Sequence, residues 1–454
     1  MPNALATVAL LASLAASPSH PTKAPPSGIV FIDDDYAGAL AKAKAQQKPL
    51  FLDSWATWCH SCLSMKAFVF PDAGLRPAKD TVVWLAVETE TEKNRPVVEK
   101  YPVDGLPTFL IIDPNTEQVI GKWLGTSSVN EMRQFVVDTA SAWQTTRKGG
   151  KLSPAAEAER EGHTAQQAGD RQAAAKAYRR ALQLTDAKDP RRPERVALLV
   201  SALGGLGTPE AARECVQLAS QELNKMPSSP PGADFSINAA DCAAEQKSDP
   251  QAQALLTAAL ARMEKLAGDP KAALSVDDRS DLYAHLADHL DALKRHEEAV
   301  AVMRKRSAML EAAAKAAPDA VTAATFDAHR TDTYLYLGEA PKAEAMLSAR
   351  EKDIPTDYNP PARLARVLLE EKRPAEAEAA VNRALAKMPQ GPRKVGILGL
   401  KARILAAQGK DKTPVLREQL ALIDTLPKTP GLENTRNRVE TELKAATEQP
   451  HAKL

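Results

Sequence analysis

Trp55-Ala56-Thr57-Trp58-Cys59-His60-Ser61-Cys62 sets two cysteines three residues apart, directly after an apolar run over residues 50–55 that reads as a β-strand. The next residues, to position 68, carry helical spacing, so Cys59 stands where a strand gives way to a helix. Partial positive charge at a helix N-terminus stabilises a thiolate and can draw a thiol pKa from about 8.5 into the range of roughly 3.5 to 7.5. Cys59 is therefore the expected attacking sulfur. Cys62, one helical turn on, is placed to attack the mixed disulfide formed at Cys59 and release the partner, which completes a two-electron exchange. Three other uses of the pair are weaker. A zinc site needs a second ligand pair, and residues 29–146 hold no other Cys and no His besides His60. Haem attachment needs C-x-x-C-H, and residue 63 is Leu. A structural disulfide within one turn closes almost no loop.

Strand and helix signals alternate around this motif. An acidic triplet, Asp33 to Asp35, supplies the N-cap of a helix over 36–47. Further helices are expected over 59–68, 95–101 and 128–142, and strands over 50–55, 82–87, 108–113 and 119–123. This is an α/β layered unit with a mixed sheet.

Leu52-Asp53-Ser54-Trp55 through Cys62, followed by Gly105-Leu106-Pro107-Thr108, resembles the thioredoxin superfamily over residues 29–146. Within it, the Leu-Asp pair, the Trp-Cys pair and Phe70-Pro71-Asp72 are most similar to the C-terminal periplasmic domain of the transmembrane disulfide reductase of the Dsb system. The resemblance implies a cis proline at Pro107 facing the cysteine pair. It also implies client contacts from Trp58, His60 and Ser61 and from Leu106, Pro107 and Thr108. Asp53, six residues before Cys59, matches the family's buried acid that moves a proton to and from the resolving thiol; the alternative is an Asp held by backbone amides at a strand end. His60 and Ser61 depart from the family's usual dipeptides, and Lys66 stands where the reductase domain carries an acid. A charged His60, or Lys66 if it approaches Cys59 rather than solvent, would push the couple toward the oxidising side.

Beyond a linker at 147–154 the composition changes. All five Trp and six of the eight Phe lie in the first 150 residues, and the remainder of the chain is rich in Ala, Leu, Glu, Lys and Arg. Self-similarity appears at periods near 34 to 40: Ala343, Leu347 and Pro355 repeat as Ala377, Val381 and Pro389. Gly162, Gly169, Ala174, Tyr178 and Ala181 form a first unit that resembles a tetratricopeptide repeat, and seven degenerate helix pairs fill 155–448. Such an all-α solenoid offers a surface for a peptide or protein ligand, or merely spaces the head. Cys215 and Cys242 fall on adjacent predicted helices, but a simple helix-pair register puts them at unequal heights, which favours two small buried cysteines over a disulfide. His285 and His289 share a helix face with no evident third ligand, which favours a solvated face over a metal site.

Lys plus Arg (59) almost cancels Asp plus Glu (58), which gives nucleic acid no electrostatic purchase. Ala4 to Ala16 reads as the apolar core of a signal peptide, with 1–28 as leader and Pro-rich tether, so the mature chain is expected in the periplasm or secreted, with no membrane span. The sequence reads as a thiol:disulfide oxidoreductase, reductase rather than oxidase, acting with an unidentified redox partner on client proteins that carry thiols or disulfides. No cofactor or metal is implied. The alternative is an interaction scaffold with a redox-controlled head.

Overall fold

The computed structural model describes residues 26–103, 105–428 and 430–448 of the 454-residue chain. The expected apolar leader segment lies outside the described residues.

The N-terminal domain is built on five strands: β1 (Ile32–Asp33), β2 (Leu50–Trp55), β3 (Val83–Glu88), β4 (Thr108–Ile112) and β5 (Val119–Leu124), in the order β1-β3-β2-β4-β5. β2 runs parallel to β3 and antiparallel to β4. The three central strands are almost wholly buried because both sheet faces are covered, which is why they read as continuous apolar runs. Alternation sorts their side chains into two cores. Leu50, Leu52, Leu85, Leu110 and Ile112 pack with Ala39 and Ala43 of α1 (Tyr36–Gln46). Phe51, Trp84, Phe109 and Ile111 pack on the other face with Met65, Met132 and Val136. Asp53, two residues after Phe51, shares this second face.

Asp35 caps α1, while Asp34 turns inward and accepts from Glu88 N and Asn94 Nδ2. The helix expected over 59–68 is α2 (His60–Ser64) continued by a wider π-type turn, Met65–Val69. After α3 (Arg95–Lys100), α4 (Val129–Arg147) runs five residues past its expected end, started by a Ser128–Glu131 capping box.

The rest is helical. The pairs are α5 (Pro154–Gln167) with α6 (Arg171–Gln183), α7 (Arg192–Gly204) with α8 (Pro209–Glu222), α9 (Pro230–Ala244) with α10 (Pro250–Gly268), and α11 (Val276–Ala292) with α12 (His296–Ala316). After the short α13 (Ala320–Ala324) come α14 (Asp327–Tyr336) with α15 (Ala340–Asp353), α16 (Asn359–Glu370) with α17 (Pro374–Lys387), α18 (Pro392–Ala407) with α19 (Thr413–Thr425), and finally α20 (Pro430–Glu448). The 34-residue repeat marks equivalent core positions: Ala343, Leu347, Ala377 and Val381 are all fully buried. Tight turns within the pairs use left-handed backbone at Gly169, Gly207, Gly338 and Gly409, and at Lys294 and Lys372.

Cys215 and Cys242 are joined, with Cα atoms 6.2 Å apart, which corrects the expectation of two separate thiols. The 3-10 turn Leu223–Lys225 and the extended residues after it carry the chain onward before α9 begins, and this offsets the difference in height. His289 faces Asp241 at 3.1 Å rather than open solvent. Among the described residues no helix is long and apolar enough to cross a membrane.

The helical array packs against the N-terminal domain largely through the N-terminal ends of α9, α11, α14, α16 and α18. Ser229, just before α9, bonds Glu131, and Asp278 of α11 accepts from Thr126. Phe326, before α14, stacks on Phe68. Tyr358 and Asn359 at the start of α16 hold Thr57, and the N–H of Arg393 in α18 donates to Glu90.

Candidate active site

β2 ends at Trp55, and the turn after it delivers Cys59 as the N-cap of α2, its Sγ accepting from Cys62 N at 3.1 Å. Cys59 and Cys62 form a disulfide and are 4% and 1% exposed. Ala56, Trp55, Trp58 and Leu106 pack around the pair. Leu106–Pro107 is a cis peptide. Pro107 O accepts from Gly125 N, and Thr108 Oγ1 donates to Gly105 O, so both residues shape the loop that brings Leu106 to the sulfurs.

Asp53 lies beneath this face, 1% exposed, and among the described residues the group that comes nearest to pairing with its Oδ2 is the Lys66 ammonium. Burial pushes its carboxyl up to about 6, although Lys66 works against the rise. Lys66 neither approaches Cys59 nor runs into solvent: its Nζ sits 3.5 Å from Asp53 Oδ2 and 3.9 Å from the centre of the Trp55 ring.

His60 and Trp58 face the helical array. Trp58 donates to Glu90 Oε1, packs beside the Tyr334–Leu364 core and lies under the Arg393 guanidinium. His60 Nδ1 lies 3.0 and 3.1 Å from the two oxygens of Asp277, and its ring centre is 4.0 Å from that of His329. His329 Nε2 also reaches Asp277, at 2.8 Å. Burial alone would lower the His60 pKa, but the charge and hydrogen bond of Asp277, helped by Asp281, outweigh it and hold the group raised to about 9. Burial likewise opposes the charge on Asp277, and the two histidines overcome it and keep its carboxyl below the usual range. His60, Asp277, Asp281 and His329 bring ligand atoms within 4.8 Å of one another. A metal fits poorly. Arg306, which can only donate, lies 2.7 Å from His329 Nδ1, so the ring proton stays on Nε2 and points at Asp277, using the lone pair a cation would need. The sequence offered no signal for this cluster, because Asp277 lies 217 positions from His60.

A family profile described as thioredoxin-like matches residues 32–114. Thioredoxin H-type from Oryza sativa subsp. indica is 32% identical over 90 residues, which are 19% of this chain and 70% of that protein. The chain belongs to the thioredoxin-like family. The thioredoxin-like domain is also similar to thiol:disulfide interchange protein DsbD, at 32% identity over 90 residues for the Pseudoalteromonas atlantica protein and 33% over 77 for that of Colwellia psychrerythraea. These matches span 19% and 16% of this chain, and only 15% and 13% of the DsbD proteins. The helical region is similar to a tetratricopeptide repeat protein from Parabacteroides merdae, at 11% identity and a TM-score of 0.35, covering 64% of this chain and all of that one. The structure joins a thioredoxin-like domain that bears a C-x-x-C disulfide to an array of paired helices.

Proposed function

We propose that the chain is a thiol:disulfide oxidoreductase that reduces protein disulfides in the periplasm or outside the cell. The single observation that carries this reading is the Cys59–Cys62 disulfide at the start of α2, above a buried Asp53 and against Leu106. In the reduced chain, the Cys59 thiolate attacks one sulfur of a client disulfide. A Cys59–client disulfide forms and a client thiolate leaves. Cys62 then passes its proton to Asp53 and attacks Cys59 Sγ, which releases the second client sulfur as thiolate and closes the Cys59–Cys62 bond. Two electrons pass to the client, and an external dithiol reductant restores the pair. In this reading an incoming client segment contacts Trp58, His60, Ser61, Leu106, Pro107 and Thr108, of which Trp58 and Leu106 pack against the cluster that holds the cysteines.

Similarity to DsbD over the redox domain supports both the chemistry and the compartment. The test is a Cys62→Ser chain incubated with a disulfide-bonded client under mild reduction. A covalent Cys59–client adduct is expected, and it should be absent from Cys59→Ser. Client reduction by the wild type that survives in the doubly substituted chain would overturn the reading. A reduction potential near −120 mV rather than about −270 mV would make the chain an oxidant of clients instead.

A further inference from the structure

We propose that Asp277, supplied by the helical array, is a positioning residue of the redox centre, holding His60 as an imidazolium beside Cys59 so that the array tunes how strongly the cysteine pair holds its electrons. This deepens the oxidoreductase reading and rests on it.

Asp277 is 1% exposed, and both its oxygens lie within hydrogen-bond distance of His60 Nδ1. His60 is the residue next to Cys59 and opens α2. The groups around it come from four helices of the array: Asp277 and Asp281 of α11, Arg306 of α12, His329 of α14 and Arg363 of α16. Arg306 fixes the His329 proton on Nε2, so His329 meets Asp277 as a hydrogen-bond donor and leaves His60 as the ring that carries its counter-charge. Arg363 opposes a charge on His60, yet Asp277 and Asp281 prevail.

A cation beside a thiol favours the thiolate. Stabilising the Cys59 thiolate stabilises the reduced pair, which raises its reduction potential. Among the described residues of the thioredoxin-like domain, the hydrogen-bond partner of the His60 ring is Ser61, whose Oγ lies 3.2 Å from Nδ1 and carries no charge. The charge beside the nucleophile is therefore set by the other domain.

The experiment compares the full-length wild type with Asp277→Asn and His60→Gln. Histidine NMR titration should place wild-type His60 near pH 9, and Asp277→Asn should bring it below the ordinary 6.5, since burial and Arg363 then face Asp281 without Asp277. Thiolate absorbance of the reduced chain should show about a tenfold lower thiolate fraction at pH 6 in Asp277→Asn. A tenfold change corresponds to a potential about 30 mV more negative. His60→Gln should reproduce the thiolate shift, and the double variant should add nothing to it. If Asp277→Asn does not fold, His60→Gln and the wild-type titration decide. A wild-type His60 that titrates below pH 7, or a Cys59 thiolate unmoved in either variant, would overturn the proposal. If both shifts occur but the wild type reduces no client, the oxidoreductase reading fails while the charge clamp stands.

Discussion

Asp53 carries an electrostatic cost that can be measured. Its carboxyl, raised to about 6 in the folded chain from 3.8, binds a proton more tightly there than in the unfolded chain. The folded state therefore loses stability as pH rises from 3.8 through 6, and above that the penalty is constant. Asp53→Asn should accordingly stabilise the chain at pH 8, by about 1–3 kcal/mol in denaturant unfolding, with little gain at pH 4. The same substitution should slow resolution of a Cys59–client adduct severalfold, read as adduct lifetime. Asp53 was legible as a buried acid only through the resemblance to the thioredoxin superfamily, which places one six residues before the first cysteine. Lys66 was not, because spacing on a helix face does not say which ring or carboxylate a long side chain will find; here the Trp55 face and Asp53 Oδ2 hold it.

At the scale of elements, helix pairs depend on close approach at small residues. A Cβ on Gly162 would lie 2.4 Å from Tyr178 Cε1, and Tyr178 cannot easily yield, since its hydroxyl is held by His163 and Gln166. Gly162→Ala should therefore destabilise the first pair by about 1–3 kcal/mol, visible as earlier thermal unfolding of the array. Gly162, Gly169 and Tyr178 were readable as a repeat signature. The turns at Lys294 and Lys372 were not, because they reach the same left-handed backbone with residues that carry no turn signal. The sheet was legible for a different reason: strands covered on both faces leave unbroken apolar runs, whereas the π-type turn after α2 changes register without any composition mark.

The whole molecule encloses its own cysteine pair. Two kinds of domain were evident from where the aromatic residues cluster, but their docking was not, since it is made by single polar side chains at successive helix starts rather than by a periodic stripe. Gly391 marks a tight point of that docking: a Cβ there would sit 2.4 Å from Glu90 Oε2 and 2.8 Å from its carbonyl. Gly391→Ala should loosen the array from the thioredoxin-like domain. It should also speed reduction of Cys59–Cys62 by a bulky protein reductant severalfold, with a smaller gain for dithiothreitol. Docking should depend on pH as well. A His60 raised to about 9 gives stability that is fully present below 6.5 and lost as pH rises through about 9. Hydrogen exchange at Thr57 and Asn359 should report that loss, and in Asp277→Asn the trend should vanish.

The bond between Cys215 and Cys242 spans 27 positions and ties the second helix pair to the third. Stacked repeats behave as a row in which each unit leans only on its neighbours, so a row can fray from either end or part at its weakest joint. One covalent rung removes that freedom locally: the two units must melt together. Cys242→Ser should cost about 3 kcal/mol and split one thermal transition into two. A reductant strong enough to reach this rung as well as Cys59–Cys62 would make the array less cooperative at the same time as it opens the redox pair.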